Sequence, residues 1–208
     1  MSRKTATLII LAFVVLLLGS LGIGYLQTSP QNVHVDIKPG SVTVTVYDKS
    51  HNTVTVLAKS GDVSLPKGEY TIVPSGDNIN TDAIPFTVAN TSVRVSVDPG
   101  YSRSYLDSLL SSEDIKTLTA VITAAYPSTI RSFTVNPGIF CGYGDWYVTT
   151  LTQQSPAPGE LGDIYRTVLH KQDGAWKVAA TPAIVLSAKD YPSIPKDVLN
   201  TANERRGY

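Results

Sequence analysis

A single cysteine, Cys141, stands among 208 residues, so no disulfide can form within the chain. Core packing alone must hold the body together. The commonest role for a lone thiol is that of a small buried apolar side chain. Charge is scarce as well, at 16% of residues, and balanced, with 17 basic and 17 acidic side chains. Two of the basic ones, Arg3 and Lys4, sit at the start, which leaves 15 against 17 elsewhere. No basic stripe remains that would neutralise nucleic-acid phosphates, so nucleic acid is excluded as a partner. Walker A, dinucleotide-glycine and HExxH patterns are all missing. Neither His34 nor His51 stands at a ligand spacing from a second His, a Cys or paired carboxylates. No cofactor and no metal are therefore expected. Disorder is excluded too, because 42% of the residues are hydrophobic.

The chain does have one long uncharged run. Residues 8–26 read LIILAFVVLLLGSLGIGYL, nineteen residues without a charge. At helical rise they extend about 28 Å, close to the roughly 30 Å hydrocarbon core of a bilayer. Tyr25 stands at the far end, where an amphipathic ring favours the interface, and Arg3 and Lys4 favour a cytoplasmic start. A cleaved signal peptide has a shorter run, about 7–15 residues, followed by an A-x-A-like site. Gln27-Thr28-Ser29-Pro30 offers none. The expectation is a single-pass anchor in the plasma membrane. Residues 1–7 are then cytoplasmic, 8–26 transmembrane with lipid as their partner, and 27–32 a spacer.

From residue 33 the apolar period changes to two. Val33, Val35 and Ile37 alternate with polar residues, Pro39-Gly40 interrupts, and Val42, Val44 and Val46 resume the alternation. A turn at 48–52 leads to Val54 and Val56, and short strands are predicted at 70–73, 86–88 and 93–97. The pattern predicts a small antiparallel sandwich over residues 33–99. The element Leu65-Pro66-Lys67-Gly68-Glu69-Tyr70-Thr71-Ile72 and the closing Asp98-Pro99-Gly100-Tyr101 complete it. Together these resemble a PEGA-type domain, a small β-sandwich of bacterial and archaeal surface and envelope proteins. The resemblance implies a spacer or interaction module without catalysis.

Residues 101–208 read differently. Ser111 and Asp114 form a capping-box-like start, with Ile115, Leu118, Val121, Ile122 and Ala125 on one helical face and Tyr126-Pro127 as the stop. A shorter helix carrying Tyr105, Leu106, Leu109 and Leu110 precedes it. Strands are predicted at 129–135, 146–152, 164–170 and 176–180, with a hairpin turn at Gln172-Asp173-Gly174. An edge strand near 183–186 and a terminal helix over 195–205 finish the chain. This is an α+β arrangement in which helices cover one face of an antiparallel sheet. With Leu169-His170-Lys171-Gln172-Asp173-Gly174-Ala175-Trp176-Lys177-Val178 near its end, it resembles the cone-shaped folds of cystatin-like and nuclear-transport-factor-like domains. Those folds host binding pockets, inhibitors and enzymes alike, so the resemblance implies a shape rather than an activity.

Two readings of the stretch Phe140-Cys141-Gly142-Tyr143-Gly144-Asp145-Trp146-Tyr147 compete. In one, Cys141 is a nucleophile, His170 its base and Asp145 the orienter of that base, which defines a small envelope hydrolase. No family signature surrounds the cysteine. In the other, Tyr143, Trp146 and Tyr147 form a recognition surface on a glycine-rich loop. Large aromatics fill cores more often than they meet ligands, and Trp176 is expected in the core. The function expected from the sequence is that of a non-catalytic, membrane-anchored scaffold or interaction module for a protein or cell-envelope partner. The hydrolase and a small-ligand pocket in the second region are the alternatives.

Overall fold

The computed structural model describes residues 29–38, 42–156 and 162–207, and these are mostly β-sheet with a few helices. The 8–26 run, the Pro39-Gly40 break and residues 157–161 lie outside the described residues. Among the described residues no helix is long and apolar enough to cross a membrane. They fall into two compact units. One runs up to Asp77 and takes in Thr81–Pro99; the other takes Asn78–Asn80 and everything from Gly100 onward.

The described residues of unit one form seven strands: β1 Gln31–Ile37, β2 Thr43–Asp48, β3 Thr53–Leu57, β4 Gly61–Leu65, β5 Gly68–Ser75, β6 Ile84–Val88 and β7 Val93–Val97. They form two sheets, ordered β4-β1-β7 and β3-β2-β5-β6. Each sheet buries one row of side chains. Val33, Val35 and Ile37 line one row, and Val44, Val46, Tyr70 and Ile72 line the other. Alternation puts those residues on a single side of each strand. Among the described residues of this unit no helix covers them, so the two rows cover each other.

Three details depart from the expectations. The β1–β7 pair is parallel, so the unit is not wholly antiparallel. On β3 the alternation holds but the face is reversed: Val54 and Val56 are 41% and 55% exposed. Pairing sets Thr55 opposite buried Val46 and Leu57 opposite buried Val44, which turns the two valines outward. Finally, β4 has no counterpart among the predicted strands, because only Val63 and Leu65 in it are apolar. The Leu-Pro-x-Gly-x-Tyr element has a clear local job. Leu65 ends β4, Gly68 opens β5, and the Tyr70 hydroxyl donates to the Pro66 carbonyl at 2.9 Å, tying the corner shut.

Unit two holds α1 Arg103–Leu109, α2 Ser112–Ala125, the single turn α3 Pro127–Ile130, β8 Phe133–Val135, β9 Ile139–Cys141, β10 Trp146–Gln153, β11 Ile164–Gln172, β12 Ala175–Ala183 and α4 Lys196–Glu204. The capping box forms: Ser111 Oγ accepts from the Asp114 N–H, and Asp114 Oδ2 accepts from the Ser111 N–H. Asp173 and Gly174 both adopt positive φ, 51° and 79°, the geometry of a tight hairpin whose twist suits antiparallel strands. The sheet runs β12-β11-β10, and both β8 and β9 pair along the far side of β10, split by Asn136-Pro137-Gly138. The predicted strand over 129–135 is thus half helical turn and half β8. The predicted 183–186 strand does not form. Ala183 ends β12, Ile184 and Val185 point outward, and Leu186 turns in.

The largest correction concerns the layers. Helices cover both faces of this sheet. Leu106 of α1 with Leu118 and Ile122 of α2 packs on Phe140, Tyr147, Leu151 and Leu169. Val198, Leu199 and Ala202 of α4, with Leu186 and Ile194, pack on Cys141, Trp146, Val148, Val168 and Ala180. The physical reason lies in β10, buried at every position from Trp146 to Leu151. A strand buried on both faces needs cover on both. The hydroxyls it carries inward are satisfied: Thr149 donates to the Asn136 carbonyl, and Asn136 Nδ2 donates to Thr150.

Candidate functional site

The 141–147 stretch is built by backbone geometry. Gly142 and Gly144 take φ of 63° and 81°, which turns the chain from β9 into β10. A Cβ on Gly142 would come within 2.9 Å of an Asp145 carboxylate oxygen. That same carboxylate accepts from the Tyr143 N–H at 3.1 Å, while the Asp145 carbonyl accepts from the Lys171 N–H at 2.8 Å. Asp145 is thereby pinned at the end of the β10–β11 pair.

Within that frame the nucleophile arrangement does not assemble. Cys141 is the cross-strand partner of Trp146, and Trp146 is the partner of His170 on the other side. Two strand spacings, roughly 10 Å, therefore separate thiol and imidazole. Trp146 lies between them, its ring stacked on His170 at 3.8 Å and 4°. Asp145 does approach His170, Oδ2 to Nε2 at 3.8 Å, and Gln172 meets its Nδ1 at 3.1 Å. Cys141 itself is 7% exposed, and burial pushes its thiol up to about 11, so it is un-ionised at neutral pH. A protonated thiol without a base in reach is a packing residue.

The expected aromatic surface also divides. Trp146 and Tyr147 are adjacent on one strand and so point to opposite faces, where they are 8% and 0% exposed. Tyr147 is a core residue whose phenol oxygen accepts from the Gly138 N–H at 2.7 Å; burial raises its pKa. Tyr143 alone remains half-buried, and it has different company. Its ring meets Tyr101 edge-on at 5.3 Å, and Tyr101 meets Tyr105 edge-on at 4.9 Å. The structure thus gathers a row of three half-exposed tyrosines, Tyr143, Tyr101 and Tyr105. Sequence reasoning placed Tyr105 among the apolar residues of a short helix and Tyr101 at the close of the first unit. Nothing local links residue 143 to 101; the link is the Gly142 carbonyl accepting from the Tyr101 N–H at 2.8 Å. Among the described residues no three His, Cys, Asp or Glu side chains converge as a metal site requires.

The fold defines a two-unit, β-rich α+β protein with an aromatic row on its second unit. No family model matches the chain, and no curated protein is significantly similar to it. Among solved structures, a DUF3823 family protein from Bacteroides ovatus aligns at 13% identity over 74% of this chain and 97% of that one, with a TM-score of 0.25. A likeness that slight carries no argument about fold or function.

Proposed function

We propose that this chain is a non-catalytic interaction module held at the outer side of the plasma membrane by residues 8–26. The carrying observation is that uncharged nineteen-residue run, preceded by Arg3 and Lys4 and followed by two folded units. In this reading unit one is a PEGA-like spacer. Unit two is a cystatin-like or nuclear-transport-factor-like module that engages a protein or cell-envelope partner. The tyrosine row 143–101–105 is its contact surface, since fixed aromatic rings bring large area at small entropic cost. The separation of Cys141 from His170 speaks for binding over hydrolysis.

The test is topological. In a Cys141→Ala background, a thiol introduced at exposed Ser92 is offered a maleimide that cannot cross membranes, in cells with an intact cytoplasmic membrane. Labelling without lysis is the expected result. Labelling only after lysis removes the anchor reading and the envelope partner with it.

A further inference from the structure

We propose that Asn90 is a modification site, the acceptor of an N-linked glycan from a polyisoprenyl-phosphate sugar donor. Such donors are used on the outer side of the membrane, so the site rests on the anchor reading above. Asn90-Thr91-Ser92 is an N-x-Ser/Thr triplet with no proline in the middle, and it occurs once in the chain. One such triplet arises readily by chance in a chain of this length. Its surroundings in the fold decide whether a transferase can use it.

Those surroundings are open. Residues 89–92 form the link between β6 and β7, and all four are exposed. A link outside any strand can be drawn into an enzyme without breaking a ladder hydrogen bond. No side chain of the triplet makes a hydrogen bond among the described residues. Other asparagines differ on this point. Asn52 Nδ2 donates to Asp48, Asn136 Nδ2 to Thr150 and Thr152, and Asn203 Nδ2 to the Leu186 carbonyl. Their amides are committed to the fold, whereas that of Asn90 is free to react.

In the transfer, Asn90 Nδ2 bonds to the anomeric carbon of the donor sugar. The bond from that carbon to the lipid phosphate oxygen breaks, and the lipid phosphate leaves with the electron pair. One amide proton passes to a base of the transferase, and nothing is oxidised or reduced. The Ser92 hydroxyl is the group that marks the asparagine two residues before it. Thr91 keeps the backbone freedom that a proline would remove. β6 is an edge of one sheet and β7 an edge of the other, so a bulky, solvating glycan at their junction stands beside two open edges.

The experiment weighs the full-length chain, purified from the cells that make it, and then its tryptic peptide of residues 68–94, which holds Asn90. The expected result is a mass above that of the sequence by whole sugar residues, carried on Asn90. Asn90→Gln and Ser92→Ala should each return the sequence mass, while Ser92→Thr should keep the added sugar. In the same cells an Ala124→Cys thiol on the exposed side of α2, in a Cys141→Ala background, reads location with an impermeant maleimide. A bare Asn90 in a chain labelled from outside overturns this proposal and leaves the anchor standing. A bare Asn90 in a chain labelled only after lysis overturns both. Sugar carried elsewhere on the chain, with Asn90 bare, also overturns it.

Discussion

Unit one leaves one face of each sheet to solvent, whereas unit two encloses its central strand completely. In β2, Val44 and Val46 are buried while Thr43 and Thr45 are half-exposed; in β10, six consecutive residues are buried. The contrast carries a general lesson about tolerance. A sheet with a wet face accepts polar changes at every second position, but a doubly covered strand accepts them only where a partner satisfies them, as at Thr149 and Thr150. In unit two even the threonines of β10 are committed to partners.

The comparison breaks most directly at Leu151, which is fully buried in β10. Leu151→Ala should cost unit two about 2–5 kcal/mol, while Val56→Thr on the exposed side of β3 should stay within about 0.5 kcal/mol. Both tryptophans, Trp146 and Trp176, belong to unit two, so their fluorescence in a urea titration reads Leu151→Ala, while amide hydrogen exchange of β2 and β5 reads Val56→Thr in unit one. Equal losses for the two variants would mean that the units do not differ in cover.

A pH titration sharpens the same point. The Cys141 thiol is raised from 9.0 to about 11 by burial. Between those values the folded chain holds a proton that the unfolded chain has released. Stability from this group is therefore complete below pH 9.0 and falls as pH rises to about 11. The loss reaches on the order of 2–3 kcal/mol. Cys141→Ala should flatten that part of the unfolding curve, and native Cys141 should resist iodoacetamide at pH 8 until urea is added. Rapid alkylation of the native protein would contradict the burial.

A smaller loss than at Leu151 or Cys141 belongs to the α2 cap. Ser111→Ala removes an exposed box and should lower unit-two stability by about 1 kcal/mol. No change would mean that packing by Leu118 and Ile122 alone holds the helix.

Features written within a few residues were legible in the chain. The Ser111–Asp114 box, the Asp173-Gly174 hairpin and the valine alternation of β1 and β2 each follow from neighbours in sequence. The face of β3 was not legible, because its alternation is the same whichever side is buried; only register against Val44 and Val46 decides it. The aromatic surface failed for a related reason. Trp146 and Tyr147 look alike as neighbours on a glycine-rich loop, yet α4, some fifty residues downstream, covers the face that holds Trp146. The tyrosine row escaped notice because Tyr101 and Tyr143 are far apart in the chain and meet through one backbone hydrogen bond.

Composition and local pattern by themselves determined that this is a disulfide-free, β-rich chain in two parts, with turns and caps at set positions, since those properties depend on short-range sterics and hydrogen bonding. Tertiary structure alone decided which face of each strand is dry and that Cys141 and His170 stand apart with Trp146 between them. Burial and pairing are properties of segments distant in sequence, and no local pattern encodes which of them will meet.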